Sequence, residues 1–455
     1  MKGRVYIRTF GCQMNVKDSE RILGLLEDDG HVRADGPEDA DLILINTCSV
    51  REKPENKLLG ALGRFKSYQD RDPNVMLGVC GCVAQRMGEE LIEQAPYVDL
   101  VVGTQQIHRI AGLFKRAKSG EKIVATDWLD RQDQDLFHVP QTPSQNKVTA
   151  FVSIMQGCDN YCAYCIVPYV RGPELSRNAD AVLDEVQKLA DSGAKEVTLL
   201  GQNVNAYHDR GLSFPDLLAR TADVPGIERV RFTTSHPKDL SDRLIEVMAC
   251  GPKIMEHIHL PVQAGSDRVL SRMKRKYSRQ DYLELADKLR QAMPGIGITA
   301  DLIVGFPGET EEDFQQTLDL LERVRYDETF SFRYSIRPET AAAEFSGQVE
   351  EQEKYERLYR LQSLQARITE EKNEEQVGML HEVLVEGPSK THPERMSGRS
   401  RTNRLVHFPA GDALCGDIKT VRISRALKHS LYGDEIIEPI FENRIAEEEK
   451  CLHWK

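Results

Sequence analysis

Residues 157–165 read Gly157-Cys158-Asp159-Asn160-Tyr161-Cys162-Ala163-Tyr164-Cys165: three cysteines spaced C-x₃-C-x₂-C, with an aromatic residue just before the last. Three thiolates can hold three irons of a cubic 4Fe–4S cluster and leave the fourth iron open to a small molecule. Plain electron storage usually takes four cysteines. A zinc knuckle would need a fourth Cys or His close by, usually in a second pair. The next histidine is His208 and the next cysteine is Cys250, too far along the chain for that pattern.

Outward from this motif the sequence alternates strand and helix. Six strands are expected: Val148–Met155, Glu196–Leu200, Val230–Thr234, His257–Val262, Ile298–Val304 and Thr329–Tyr334. Six βα units fall short of a closed eightfold barrel, so an open (β/α)6 barrel is the economical reading, with its chemistry at the C-terminal strand edge. The cysteine motif follows the first strand. Polar and glycine residues follow others: Gln202 and Asn203 after the second, Ser235 after the third, Gln263, Gly265 and Ser266 after the fourth. With Tyr164 inside the motif, these residues suit a zwitterionic, ribose-bearing cofactor. His236 and His257 read as core or capping residues, with an acid–base role as the alternative.

The motif spacing resembles that of the radical S-adenosylmethionine (AdoMet) superfamily. The resemblance implies that the open iron chelates AdoMet and that an electron from the cluster cleaves it to a 5′-deoxyadenosyl radical.

Before the motif the chain reads as α/β. Strands are expected at Val5–Phe10, Asp41–Asn46, Val75–Val79 and Val98–Val102, with helices at Asp18–Leu26, Lys53–Tyr68 and Glu89–Gln94. This predicts a doubly wound parallel sheet, whose ligands sit beyond the C-terminal strand ends. Cys12, Cys48 and Cys82 fall at that edge, far apart in sequence but on strands that a parallel sheet brings together. They are either small buried residues or, as the topology favours, a second three-cysteine cluster. Cys80 lies deeper in its strand and is left out.

Polar, proline-broken text around Trp128, Phe137, Pro140 and Pro143 marks a boundary. After it and the barrel, Val349–Lys372 reads as a long helix with Tyr355, Leu358, Leu361, Leu364 and Ile368 on its packed face. From Gly378 short strands (381–386, 405–408, 418–423) predict a small, OB-like β-barrel. The whole chain of 455 residues carries −12, yet from Pro388 to Tyr432 nine Lys/Arg face three acids, a net of +6. A basic barrel of this size suits RNA, with Lys390, Arg399, Arg401, Arg404 and Arg422 as the contacts. The expected division is 1–125, a linker 126–143, 144–376 with the trailing helix, and 377–445. No apolar run reaches membrane-span length, the start Met1-Lys2-Gly3-Arg4 has no signal-peptide pattern, and ten cysteines in tight clusters fit a reducing cytoplasm.

From end to end the chain resembles the methylthiotransferases. The Cys12/Cys48/Cys82 part is similar to their N-terminal domain, the Cys158/Cys162/Cys165 part to their radical-AdoMet core, and the tail to their TRAM domain. Three stretches resemble the branch acting on N6-isopentenyladenosine beside the anticodon of tRNA: Arg8–Asn15, Asn46–Glu52 and Gly398–Arg404. The resemblance implies conversion of the adenine C2–H to C2–SCH₃. Two 4Fe–4S clusters and two AdoMet molecules would be used, with the open iron of the Cys12/Cys48/Cys82 cluster holding the sulfur. It also implies an electron donor of flavodoxin type and a monomer. Alternatives are the branch that modifies an aspartate of a ribosomal protein, methylthiolation of threonylcarbamoyladenosine in tRNA, and a non-enzymatic iron–sulfur RNA-binding protein. Two residues depart from the family's usual text: Pro173 where a charged residue is common, and Glu339 where glycine is common.

Overall fold

A computed structural model describes residues 3–49, 52–129, 134–137, 148–390 and 392–436. Parts of the sequence reading therefore lie outside the described residues: Val50 and Arg51, Pro140 and Pro143 of the boundary segment, and the tail beyond 436.

The N-terminal part is a six-stranded, all-parallel sheet. Its strands are β1 (Arg4–Phe10), β2 (Val32–Arg33), β3 (Leu42–Thr47), β4 (Met76–Gly81), β5 (Leu100–Val102) and β6 (Ile123–Ala125), in the order β2-β1-β3-β4-β5-β6. β3 is buried at every position, because helices cover both faces and leave no solvent side to alternate toward. Four of the strands answer the sequence expectation; β2 and β6, at the sheet's two edges, are too short to carry a pattern.

The central part is an open six-strand barrel. Its strands are β7 (Thr149–Ser153), β8 (Glu196–Leu200), β9 (Arg229–Phe232), β10 (His257–His259), β11 (Gly297–Val304) and β12 (Glu328–Arg333). They form two three-stranded ladders, β9-β8-β7 and β10-β11-β12, joined by a bridge between Val230 and Ile254. One face of each strand packs on helices to form the main core (Val197, Leu199, Val230, Ile298, Leu302). Strand alternation then turns Glu196, Arg229, Arg231, His257, Thr299 and Phe330 to the barrel interior. Side-chain caps fix the covering helices: Asn178 accepts from Ala181 N, and Thr310 with Asp313 closes a capping box.

The trailing helix α3 (Glu351–Glu374; α1 and α2 are given with the site below) packs on β12 and the core through the expected Leu358, Leu361, Leu364 and Ile368, but not through Tyr355. Lys354, Arg357, Leu361, Gln365 and Ile368 are buried, whereas Tyr355 is 54% exposed. The packed face also takes in polar groups because they find fixed partners: Arg357 pairs with buried Glu309 at 2.9 Å, and Gln365 Nε2 donates to Tyr326 O at 2.9 Å. Tyr355 lies instead under the Arg333 guanidinium, 3.7 Å from the ring centroid.

Strands β13 (Leu380–Pro388), β14 (Arg395–Ser400), β15 (Leu405–Pro409), β16 (Ile418–Ala426) and β17 (Leu431–Glu435) close a C-terminal barrel. β14 and β17 were not expected from sequence: Arg395–Ser400 is too polar to read as a strand, although its alternate residues Met396, Gly398 and Ser400 are buried.

Candidate active site

Sheet register explains how three distant cysteines meet. Phe10 pairs with Thr47, and Thr47 with Gly81, so the residues just beyond β1, β3 and β4 stand in one row. Cys12 is the N-cap of α1 (Gln13–Asp28), Cys48 follows β3, and Cys82 opens a short helix. Cys48 lies between the other two, and its thiol is within hydrogen-bonding reach of both sulfurs. Hydrogen bonding among the three pulls Cys12 down to about 6 and Cys82 to about 7 against burial, with Arg171 assisting, and raises Cys48. Two thiols poised as thiolates are what a metal requires.

Gly11 and Gly81 are required by this packing. A Cβ on Gly11 would stand 2.8 Å from Cys48 Cβ, and one on Gly81 2.3 Å from Asn46 Oδ1; Gly81 also has φ 90°. Asn15 and Asn46, which sequence reasoning missed, brace the row. Asn15 Oδ1 accepts from the Cys12 backbone N–H and thiol at 3.4 Å, and Asn15 Nδ2 donates to Asn46 Oδ1 at 3.1 Å. Cys80 belongs to the apolar core on the sheet's other side, and burial pushes its thiol up.

The second triad lies on the loop after β7. Gln202 Oε1 accepts from Gly157 N at 2.5 Å, and a Cβ on Gly157 would strike Pro173 O at 1.9 Å. Pro173 thus contributes its backbone to the loop's seat, which a change of side chain does not alter. Asn160 Nδ2 donates to Cys158 Sγ at 3.3 Å, and Arg275 Nη1 to Cys162 Sγ at 3.5 Å. Burial pushes Cys165 up to about 12 and raises Cys158. Tyr164 is held through its hydroxyl by Arg275 at 3.4 Å. Arg275 escaped the sequence reading because nothing local ties it to a cysteine 113 residues away.

Elements that carry the two triads pack together at a domain seam. Cys82 packs against Ile166, the residue after Cys165, and against Val170 of α2 (Val167–Arg171). Arg171 Nη2 crosses to Asp18 Oδ2 at 2.6 Å, both buried. Thr104 Oγ1 donates to Val170 O at 2.7 Å.

Buried polar atoms without partners surround both sites: Ser49 Oγ beside Cys48, Arg171 Nη1, and Asn203 Oδ1 and Ser235 Oγ at the barrel edge. Orphaned groups of this kind call for a ligand. Among the described residues no three His, Cys, Asp or Glu side chains converge on a single-ion site. A cubane asks instead for one sulfur per iron, and two triads of soft thiols beside unsatisfied donors fit it.

Not every expected contact is free for a cofactor. Gly265 N donates to Thr317 Oγ1 at 2.9 Å, and Ser266 Oγ to Asp313 Oδ1 at 2.6 Å. Both are bound into the helix Glu311–Val324, so these two assignments are corrected to structural ones. Gln263 has φ 74° and bridges to Leu302 through its backbone, leaving its side chain at the edge. His236 accepts from Lys238 N and caps the turn Pro237–Asp239, and burial lowers it to about 2.

The basic hairpin also changes its role. Arg401 clamps Glu256 at 2.8 Å and bonds Ile254 O, and Arg404 pairs with Asp327 and bonds Asn373. Their side chains are 19% and 11% exposed. From the other side, Arg229 donates to Arg399 O at 2.8 Å and Arg231 to Ser400 O at 2.7 Å. Arg401 and Arg404 therefore fasten the C-terminal barrel to the base of the central one, which corrects their assignment to RNA. Charge balance reveals an excess of cations but not which of them already have partners. Arg399 is 42% exposed, and Lys390 and Arg422 are exposed.

Family models match three segments: the uncharacterized protein family UPF0004 at residues 4–103, the radical SAM superfamily at 152–321, and the TRAM domain at 374–436. Relatives named tRNA-2-methylthio-N(6)-dimethylallyladenosine synthase are similar over nearly the whole chain. The one from Geobacter sulfurreducens is 51% identical over 95% of this chain and 98% of its own length. That from Syntrophomonas wolfei is 50% identical over 94% and 96%. Among solved structures, the radical S-adenosylmethionine methyltransferase TsrM from Kitasatospora setae superposes with TM-score 0.57 at 14% identity, over 75% of this chain and 74% of that one. The cobalamin-dependent S-adenosylmethionine radical enzyme OxsB does so with TM-score 0.52 at 11% identity, over 80% and 56%. Both likenesses concern the fold.

Proposed function

This chain belongs to the family of tRNA-2-methylthio-N6-dimethylallyladenosine synthases, and from that membership we propose its reaction: transfer of a methylthio group to C2 of N6-dimethylallyladenosine beside the anticodon of tRNA. It is a radical-AdoMet transferase. The observation that carries the reading is the contact of Cys82 with Ile166, which sets the two thiol triads on either side of one seam.

Cys158, Cys162 and Cys165 would hold one 4Fe–4S cluster, and Cys12, Cys48 and Cys82 the other. When bound, these groups and AdoMet supply the radical and the sulfur. The protein's own side chains do the remaining work. Asn160 and Arg275 donate to thiol sulfurs and so tune whatever those sulfurs bind. Arg171 puts a positive charge beside the Cys12 and Cys82 thiolates. Tyr164, Gln202, Asn203, Ser235 and Gln263 remain the candidates for AdoMet, supported by the unpartnered atoms of Asn203 and Ser235. Lys390, Arg399 and Arg422 remain the candidates for RNA phosphate. A target adenine must leave its stack to reach the seam.

We also infer a monomer with a one-electron donor of flavodoxin type, working in a reducing cytoplasm where such thiols stay free. Among the described residues no helix is long and apolar enough to cross a membrane. The test is anaerobic: protein reconstituted with iron and sulfide, a chemical reductant, AdoMet, and tRNA bearing dimethylallyladenosine. Nucleoside mass spectrometry should find the 2-methylthio product; AdoMet cleavage without it would defeat the assignment.

A further inference from the structure

A cleft of about 580 Å³ opens where β12, α3 and the C-terminal barrel meet. None of the six cluster cysteines, and none of the candidate AdoMet contacts, lines it. Its wall is the edge strand β12, the last of its ladder. Its floor is the hairpin at Thr402–Leu405, and its rim is the loop at Lys428–Leu431.

Three observations give this cleft a chemistry. The first is aromatic. Phe330 lines it and is 41% exposed, held edge-on by His259 with ring centroids 5.9 Å apart. The second is a fixed wall: Gln365 Oε1 and Thr329 Oγ1 are buried on the α3 side of β12, away from Phe330. Gln365 is 6% exposed, and its Nε2 is committed to Tyr326 O at 2.9 Å and Thr369 Oγ1 at 3.0 Å. The amide is thereby anchored. The third is charge. Lys428 is exposed and makes no ion pair among the described residues, and Arg399, 42% exposed, donates through Nη1 to Asn403 O at 3.0 Å and pairs loosely with Glu386 at 3.8 Å. Of the two acids that line the cleft, Asp327 is already taken by Arg404 and Lys372, and Glu328 is exposed to solvent.

We propose that this cleft binds one unpaired nucleotide of the RNA substrate, at a site separate from that of the base being modified. The base stacks on Phe330, and the phosphate lies between Arg399 and Lys428. A half-exposed flat ring beside exposed cationic side chains matches the base and phosphate of a nucleotide, and the volume is of the size that small ligands fill. The site rests on the tRNA reading above and deepens it: the C-terminal barrel would hold the RNA together with the edge of the central barrel.

The experiment uses full-length, reconstituted protein and an RNA hairpin of the anticodon arm carrying dimethylallyladenosine. 2-Aminopurine replaces each other loop residue in turn. One position should be quenched on binding, with the quench lost in Phe330→Ala and restored in Phe330→Tyr. Phe330→Ala should weaken hairpin affinity roughly tenfold, the scale of one stacked base. Lys428→Ala should lower the salt slope by about one contact. If Phe330→Ala unfolds the edge strand, Lys428→Ala, on an exposed loop, decides alone. Wild-type affinity, slope and quench in both variants, with methylthio product still made, would overturn the cleft and leave the reaction standing. Wild-type protein that neither binds the hairpin nor modifies it would overturn both. Saturable binding of adenosine monophosphate that the hairpin does not displace would assign the cleft to a free nucleotide and also overturn the proposal.

Discussion

Arg171 and Asp18 form a buried ion pair, Nη2 to Oδ2 at 2.6 Å, that fastens the N-terminal sheet domain to the radical barrel beside the Cys12 and Cys82 thiols. Removing one partner strands a charge away from water. Asp18→Ala should cost about 3–5 kcal/mol, read as a lower melting temperature of the reconstituted protein. Wild-type stability in this variant would mean that water reaches the seam.

Metal content separates the two sites. With Cys158, Cys162 and Cys165 all changed to Ala, iron should fall to roughly half, about four per chain, held by Cys12, Cys48 and Cys82. Cys48→Ala should still cleave AdoMet but make no methylthio product. Folded triple variant with essentially no iron would argue against a second site.

The arginines of the C-terminal barrel should divide by what they touch. Arg401→Ala and Arg404→Ala should loosen the barrel from its base, seen as faster proteolysis near Gly378, because Glu256 and Asp327 lose their partners. Lys390, Arg399 and Arg422, changed together to Ala, should flatten the salt dependence of tRNA binding by about one contact each. The reverse pattern would return RNA contact to the hairpin.

Acid should destabilise the fold through buried histidines. Burial and Arg404 lower His381 to about 4, and burial followed by Arg275 lowers His236 to about 2. Both fall below the unfolded value of about 6.5, so the unfolded chain binds more protons and stability is lost as pH drops from 6.5 toward 4. Melting temperatures across that range should fall, and fall less steeply in His381→Gln.

Glu339 sits at φ 71°, a left-handed conformation that glycine adopts at little cost and that accounts for glycine being the family's usual residue there. It is exposed. Glu339→Gly should therefore stabilise the chain by about 1 kcal/mol, measured by thermal or denaturant unfolding; a loss would mean that the glutamate makes a contact worth more than the strain.

The strand–helix alternation was legible because buried strands read as apolar runs, and the row of Cys12, Cys48 and Cys82 followed from their places just beyond three such strands. Arg171, Arg275 and Asn46 were not, because each acquires its meaning from a partner distant in sequence. Arg401 and Arg404 misled for the same reason. The packed face of α3 was misread at Tyr355 because polar residues with fixed partners carry no hydrophobic period.

The hairpin that packs on the base of the central barrel has a mechanical consequence. Thr402 O would lie 2.8 Å from a Cβ on Gly297, and Arg229 and Arg231 bind the hairpin's carbonyls. A side chain at position 297 would lever the C-terminal barrel off its seat, so that glycine sets how closely the two barrels can dock.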